Sequence, residues 1–149
     1  MITGIDTSAP VVVSLGITVN APIDRVWALH TDIAAWPTWQ HEVTAANITE
    51  PLAAGATFHW STFGLDIAST IRLLDPPHRI LWGGPAPGIT GIHLWTFESV
   101  DSGGTRVLTE ESWDGDLIRA DVPAMRAALH QSLTTWLTLL KNTSENTSV

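Results

Sequence analysis

The sequence predicts an α+β fold: one antiparallel sheet of consecutive hairpins curled around a single long C-terminal helix. Two observations carry this. From Thr57 to Trp113 the chain reads as strand after strand separated by Gly and Pro turns. After Asp121 the apolar period changes from two to the spacing of a helix. Strands grouped apart from helices indicate α+β rather than α/β.

The elements follow in order. Val11 to Val19 is rich in β-branched residues and reads as the first strand. Asn20-Ala21-Pro22 stops it, and Pro22 suits the first turn of a helix, where its missing N–H costs nothing. Val26, Trp27, Leu29, His30 and Ile33 then fall at helical spacing, predicting a short amphipathic helix over Ile23–Asp32. Trp36-Pro37-Thr38-Trp39 starts a second helical turn, and the tryptophans here are expected to close one end of the sheet. Val43–Thr49, Thr57–Phe63, Ile67–Leu74, Arg79–Gly83, Gly91–Val100 and Thr105–Trp113 are the predicted strands. In Ile67–Leu74 one face carries Ile67, Ser69, Ile71 and Leu73. Gly83-Gly84-Pro85 and Asp101-Ser102-Gly103-Gly104 read as turns. Val122, Met125, Leu129, Leu133, Trp136 and Leu140 mark the long helix, with Asp121 placed to cap it and Pro123 in its first turn. A curling sheet is only partly filled by one helix, so an internal cavity is expected.

The 149 residues suit one domain, expected over 1–141, with Asn142–Val149 as a disordered tail. Without cysteine there is no disulfide, thiol nucleophile or Cys-based zinc site. The net charge is −8 and the basic residues stand singly, which argues against nucleic acid and anionic membrane surfaces. No apolar run is long enough for a membrane span, and Met1–Pro10 lacks the basic start of a signal peptide. A cytoplasmic protein, monomer or homodimer, is the expectation. Eight tryptophans without a tyrosine imply a heavy aromatic core or an aromatic-lined cavity.

Particular residues resemble a known family. Ala21-Pro22-Ile23-Asp24-Arg25-Val26-Trp27, then Thr31-Asp32 and Trp36-Pro37-x-Trp39, resemble the opening of START-like helix-grip (SRPBCC) proteins, in particular the polyketide cyclase/dehydrase group. Leu52–Phe58, Asp75–Trp82 and the hairpin from Trp95-x-Phe97 to Gly103-Gly104-Thr105-Arg106-Val107 resemble later parts of the same pattern. The resemblance spans about Val11–Lys141 and implies a sheet gripping the C-terminal helix around an apolar pocket. Such families hold aromatase/cyclases, dehydratases, lipid and hormone carriers and chaperone activators, with no shared catalytic motif, so fold alone does not name the function.

The last hairpin carries the candidate chemistry. If Arg106, Leu108 and Glu110 share one face, Val107, Thr109, Glu111 and Trp113 share the other. Pairing Phe97 with Val107 sets Glu98 opposite Arg106 as an outward ion pair. It also sets Trp95 opposite Thr109 and His93 opposite Glu111 inside. An inward carboxylate needs a partner, and His93 supplies one. As a catalytic pair, Glu111 would orient the imidazole and raise its basicity, with His93 the general base of a cyclisation or dehydration. The alternative is that Glu111 lies at the strand end in water and His93 is merely packed, and a one-residue slip or a bulge at Gly103-Gly104 reverses the assignment.

The expected ligand contacts are Phe58, Trp60, Ile71, Trp82, Trp95, Phe97, Thr109, Trp113, Met125 and Leu129. No His-x-His or His-x-x-x-His spacing marks a metal site, and neither metal nor cofactor is expected. Three functions remain open. The first is binding of a hydrophobic, aromatic or polyketide-like small molecule, as in lipid transport. The second is a cofactor-independent cyclase or dehydratase using His93 and Glu111. The third is a protein-interaction module, whose mark would be an exposed apolar patch without a cavity.

Overall fold

The computed structural model describes residues 4–146. Its elements are β1 Val11–Val19, α1 Ile23–Thr31, a 3-10 helix Ile33–Thr38, β2 Val43–Asn47, β3 Thr57–Thr62 and β4 Leu65–Asp75. There follow β5 Arg79–Ala86, β6 Ile89–Ser99, β7 Thr105–Asp114, α2 Asp116–Ala120 and α3 Val122–Glu145. The strands form one antiparallel, unclosed sheet in the order β1-β7-β6-β5-β4-β3-β2. Every neighbour from β2 to β7 is a hairpin partner, whereas β1 returns to pair with β7. The chain therefore crosses from one sheet edge to the other between β1 and β2. α1 and the 3-10 helix make that crossing, and α1 also packs on α3. No helix of the described residues is long and apolar enough to cross a membrane.

The predicted α3 start holds: Asp121 accepts a hydrogen bond from the Ala124 amide at 3.2 Å, and Pro123 sits in the first turn. Its end does not. The helix runs four residues beyond Lys141, through part of the expected tail, because those residues find partners. Arg25 Nε donates to the Ser144 carbonyl at 2.7 Å, and the Glu145 carboxylate accepts from the Asn20 amide at 2.7 Å. Residues 147–149 of that tail lie outside the described residues.

Three strand expectations are corrected. β5 does not stop at Gly83 but continues to Ala86, so Gly83 and Gly84 are strand residues, not turn residues. A Cβ on Gly83 would run into the backbone carbonyl of Gly91, and one on Gly84 would stand 2.9 Å from the Ala68 carbonyl. These glycines allow backbones to approach closely. Pro85 is tolerated because β5 pairs with β4 only as far as Gly83, leaving one side of the strand without a ladder partner there. In β4 a register shift between Ile71 and Leu73 breaks the expected alternation, and Leu74, not Leu73, packs on the core. Finally, Glu98 and Arg106 do face each other in register, but no ion pair joins them. The Arg106 guanidinium lies over Gly16 of β1, where the missing side chain leaves room.

α2 was not legible as a helix. Gly115 turns the chain at φ 127°, and Ile118 is buried in a small cluster with Val11, Val13, Leu129 and Leu133. The larger core lies under α1, the 3-10 helix and the C-terminal half of α3. Trp36 is at its centre rather than merely closing the sheet. It is fully buried, in edge contact with Phe58, Trp60 and Trp136, and its indole N–H donates to the His30 carbonyl at 2.8 Å. Rings packed edge to face in this way add to the burial term.

Candidate functional site

α3 packs chiefly against β1 and leaves a gap over the middle strands. The gap is a cavity of about 480 Å³, within the range of small-molecule sites. Its sheet wall follows the period-two rule of strands. Trp60 and Thr62 face in from β3, Ile67 and Ser69 from β4, and Trp82, Gly84 and Ala86 from β5. Gly91 and His93 come from β6, Glu111 and Trp113 from β7. The helix wall is Met125, Ala128, Ser132 and Trp136, and Phe63 stands at the mouth, 68 % exposed. Gly91 keeps the wall open beside the acid, since a Cβ there would stand 3.5 Å from Glu111 Oε2.

The register on the last hairpin is the expected one, with His93 opposite Glu111 and Trp95 opposite Thr109. His93 Nδ1 lies 3.2 Å from Glu111 Oε1, and His93 Nε2 lies 2.6 Å from Thr109 Oγ1. The Trp113 indole N–H donates to Glu111 Oε2 at 2.9 Å. Both imidazole nitrogens are thus engaged by protein groups, and the ring is only 4 % exposed against 16 % for the Glu111 side chain. Burial pushes the Glu111 carboxyl up to about 8, against a smaller pull down from the Trp113 hydrogen bond. Burial likewise holds His93 well below its usual value, with His30 acting in the same direction. Desolvation disfavours both charged forms, and the causes acting on His93 are burial and His30. A carboxylic acid at Glu111 would donate from Oε1 to Nδ1, which leaves the imidazole proton on Nε2 to be donated to Thr109. Glu111 and His93 both line the cavity, and Glu111 is the more exposed of the two.

The other expected contacts divide. Trp60, Trp82, Trp113 and Met125 line the cavity. Phe58, Ile71, Trp95, Phe97, Thr109 and Leu129 do not, and all six are fully buried. The five strand residues lie on inward faces as the alternation requires, but helices cover them, and Leu129 of α3 is packed with Val11, Val13, Ile118 and Leu133. Sequence reasoning missed Thr62, Gly84 and Ala86, although continuing the two-residue period from Trp60 and Trp82 would have reached them. Glu42, just before β2, also lines the cavity, and its Oε1 is buried without a protein partner. Burial raises its pKa, opposed by the neighbouring Gln40 amide.

Behind Trp82, His30 is fully buried among aromatic rings, 4.4 Å from Trp95, 5.4 Å from Phe97 and 5.5 Å from Trp82 between centroids. Neither ring nitrogen has a protein partner. Burial lowers its pKa to about 3, so the ring is neutral. Its place on the buried stripe of α1 was the signal for this.

The chain matches the family described as polyketide cyclase / dehydrase and lipid transport over residues 10–145. No curated protein matches its sequence. Among solved structures it is similar to a START superfamily protein from Mycobacterium smegmatis. That pair has a TM-score of 0.80 at 12% identity, covering 90% of this chain and 97% of the other. It is also similar to a hypothetical protein from Helicobacter pylori, with a TM-score of 0.81, 20% identity and coverage of 97% and 98%. A third is the ZhuI aromatase/cyclase from Streptomyces sp. R1128, with a TM-score of 0.77, 18% identity and coverage of 90% and 93%. At these identities the likeness is one of fold.

Proposed function

We propose that this chain, which belongs to the polyketide cyclase / dehydrase and lipid transport family, binds a hydrophobic, flat small molecule between α3 and the sheet. The observation that carries this is the lining: a concave space of about 480 Å³ walled by Trp60, Trp82, Trp113 and Trp136, with few polar groups converging on it. Indole faces stack on planar ligands, and a few fixed polar groups orient them. The test is tryptophan fluorescence of the purified protein against aromatic, polyketide-like and lipid ligands. Saturable quenching by one class, abolished by Ser132→Trp, which fills the helix side of the cavity, is the expected result. A flat response to the whole panel would refute the reading and favour a protein partner.

One observation supports a second reading, cofactor-independent cyclisation or dehydration. The His93–Glu111 pair holds one proton between two bases and opens on the cavity through Glu111. A proton taken from a ligand C–H at Glu111 Oε2 would be matched by passage of the Oε1 proton to His93 Nδ1. The return of these protons delivers one to a departing hydroxyl, which leaves as water. Glu111 would be the acid and base and His93 its positioning partner, the reverse of the roles expected from sequence. In an enzyme, Glu111→Gln abolishes turnover while affinity stays within about tenfold, or roughly 1.4 kcal/mol. In a carrier, the wild type shows no turnover to lose.

A further inference from the structure

The ionisable groups around the cavity include acids but no permanent cation. Two carboxyl groups, Glu42 and Glu111, line it, and no Lys or Arg does among the described residues. Each basic side chain is engaged elsewhere or faces outward. Arg25 donates to the Ser144 carbonyl, Arg126 to the Pro10 carbonyl and Lys141 to the Thr18 carbonyl. Arg79 lies beside Asp75, Arg119 pairs with Asp114, Arg106 covers Gly16, and Arg72 is exposed on β4. The two histidines nearest the cavity are both neutral, for reasons of burial already given. Nothing in the wall is built to neutralise an anion.

The two acids also stand at opposite ends. Glu111 is on β7, whereas Glu42 precedes β2, five strand steps away. That is roughly 24 Å along the sheet, and less across the chord of its curve. Glu111 has its oxygens engaged by His93 and Trp113. Glu42 Oε1 is buried without a hydrogen-bond partner of good geometry beside the aromatic wall, and only the Gln40 side-chain amide stands near enough to pull its pKa down. A buried acceptor left unpaired costs free energy that a donor on the ligand restores.

We infer that the cavity selects elongated, flat ligands that bring a hydrogen-bond donor to Glu42, and that it rejects anions such as fatty acids and aromatic carboxylates. The inference rests on the ligand-binding reading and narrows it to a substrate class. Glu42 is its specificity-determining residue.

The experiment compares three probes of one shape, hydroxyanthracene, anthracene and an anthracene carboxylate, by tryptophan quenching of wild type and Glu42→Leu. In the wild type, hydroxyanthracene binds about tenfold tighter than anthracene and the carboxylate at least about tenfold weaker, each equivalent to roughly 1.4 kcal/mol. In Glu42→Leu these differences collapse. Should that variant not fold, Glu42→Gln serves: its amide oxygen keeps the preference for the hydroxyl, while the penalty on the carboxylate shrinks. Equal binding of all three probes, or preference for the carboxylate, overturns the inference and leaves the cavity reading standing. A wild-type order that survives in Glu42→Leu also overturns it. Absence of quenching by every probe brings down both the inference and the reading beneath it.

Discussion

The stability of this protein should peak near pH 6.5 and fall on both sides, and Glu111→Gln should remove the fall on the alkaline side. The Glu111 carboxyl is pushed from 4.5 to about 8 on folding. Above 4.5 the unfolded chain has lost a proton that the folded chain keeps, so this group weakens the fold as pH rises, until about 8. His30 acts oppositely. It falls from 6.5 to about 3 on folding, so below 6.5 the unfolded chain holds a proton the folded chain cannot, and stability grows as pH rises to 6.5. His93 is lowered for the same reason and adds to this. Below 6.5 the two imidazoles outweigh Glu111, by a margin that Glu42 narrows. Between 6.5 and 8 no imidazole contributes, and Glu111 sets a slope of about −1.4 kcal/mol per pH unit, or about 2 kcal/mol in all. Glu42, also raised, adds its share in the same direction as Glu111. A glutamine at 111 reproduces the neutral hydrogen bonds, its amide N–H facing His93 Nδ1 and its oxygen facing the Trp113 N–H. The variant should therefore come closest to wild type below about pH 4.5, and its excess in stability should grow by about 2 kcal/mol between pH 6.5 and pH 8. Urea unfolding across closely spaced pH values reads both curves. A wild-type plateau from 6.5 to 8, or an unchanged slope in Glu111→Gln, would refute the assignment of a protonated Glu111.

Three further outcomes are expected. His30→Phe removes two buried nitrogens without protein partners from an aromatic cage and should stabilise by about 1–3 kcal/mol at neutral pH; a loss of stability on urea unfolding would show that the imidazole is needed there. Trp95→Ala should cost about 3–5 kcal/mol as a core truncation, while leaving ligand affinity in the folded fraction nearly intact, whereas Trp60→Ala should weaken quenching with a smaller loss of stability. The reverse ranking in paired denaturation and titration experiments would contradict the cavity wall drawn here. Gly83→Ala should destabilise strongly, since its Cβ would meet the rigid Gly91 carbonyl, but Gly16→Ala should cost less, because its closest clash is with the mobile end of Arg106 and the Val107 carbonyl at 3.3 Å need give only slightly. Equal thermal shifts in the two variants would count against this account of the glycines.

The sequence by itself determined the features that follow from local periodicity. Alternation along Gly91–Val100 and Thr105–Trp113 set the hairpin register, and with it the meeting of His93 and Glu111. Asp121, Pro123 and the spacing of Leu129, Leu133, Trp136 and Leu140 set the long helix and its buried stripe. The residues resembling START-like proteins set the curved sheet around it. Alternation says which residues point inward, but not what covers them. Trp95 and Trp82 share one face of the sheet, yet helices bury Trp95 and only Trp82 meets the cavity. That was decided by where α3 lies across the sheet, a property of long-range packing that no local window contains. The bulge in β4, the passage of β5 through Gly83-Gly84-Pro85 and the lone acceptor at Glu42 belong to the same class. So do the surroundings of His93 and Glu111. Sequence brought the two together, but protonation and direction came from burial and from the third partners, Thr109 and Trp113, which occupy the remaining atoms of the pair.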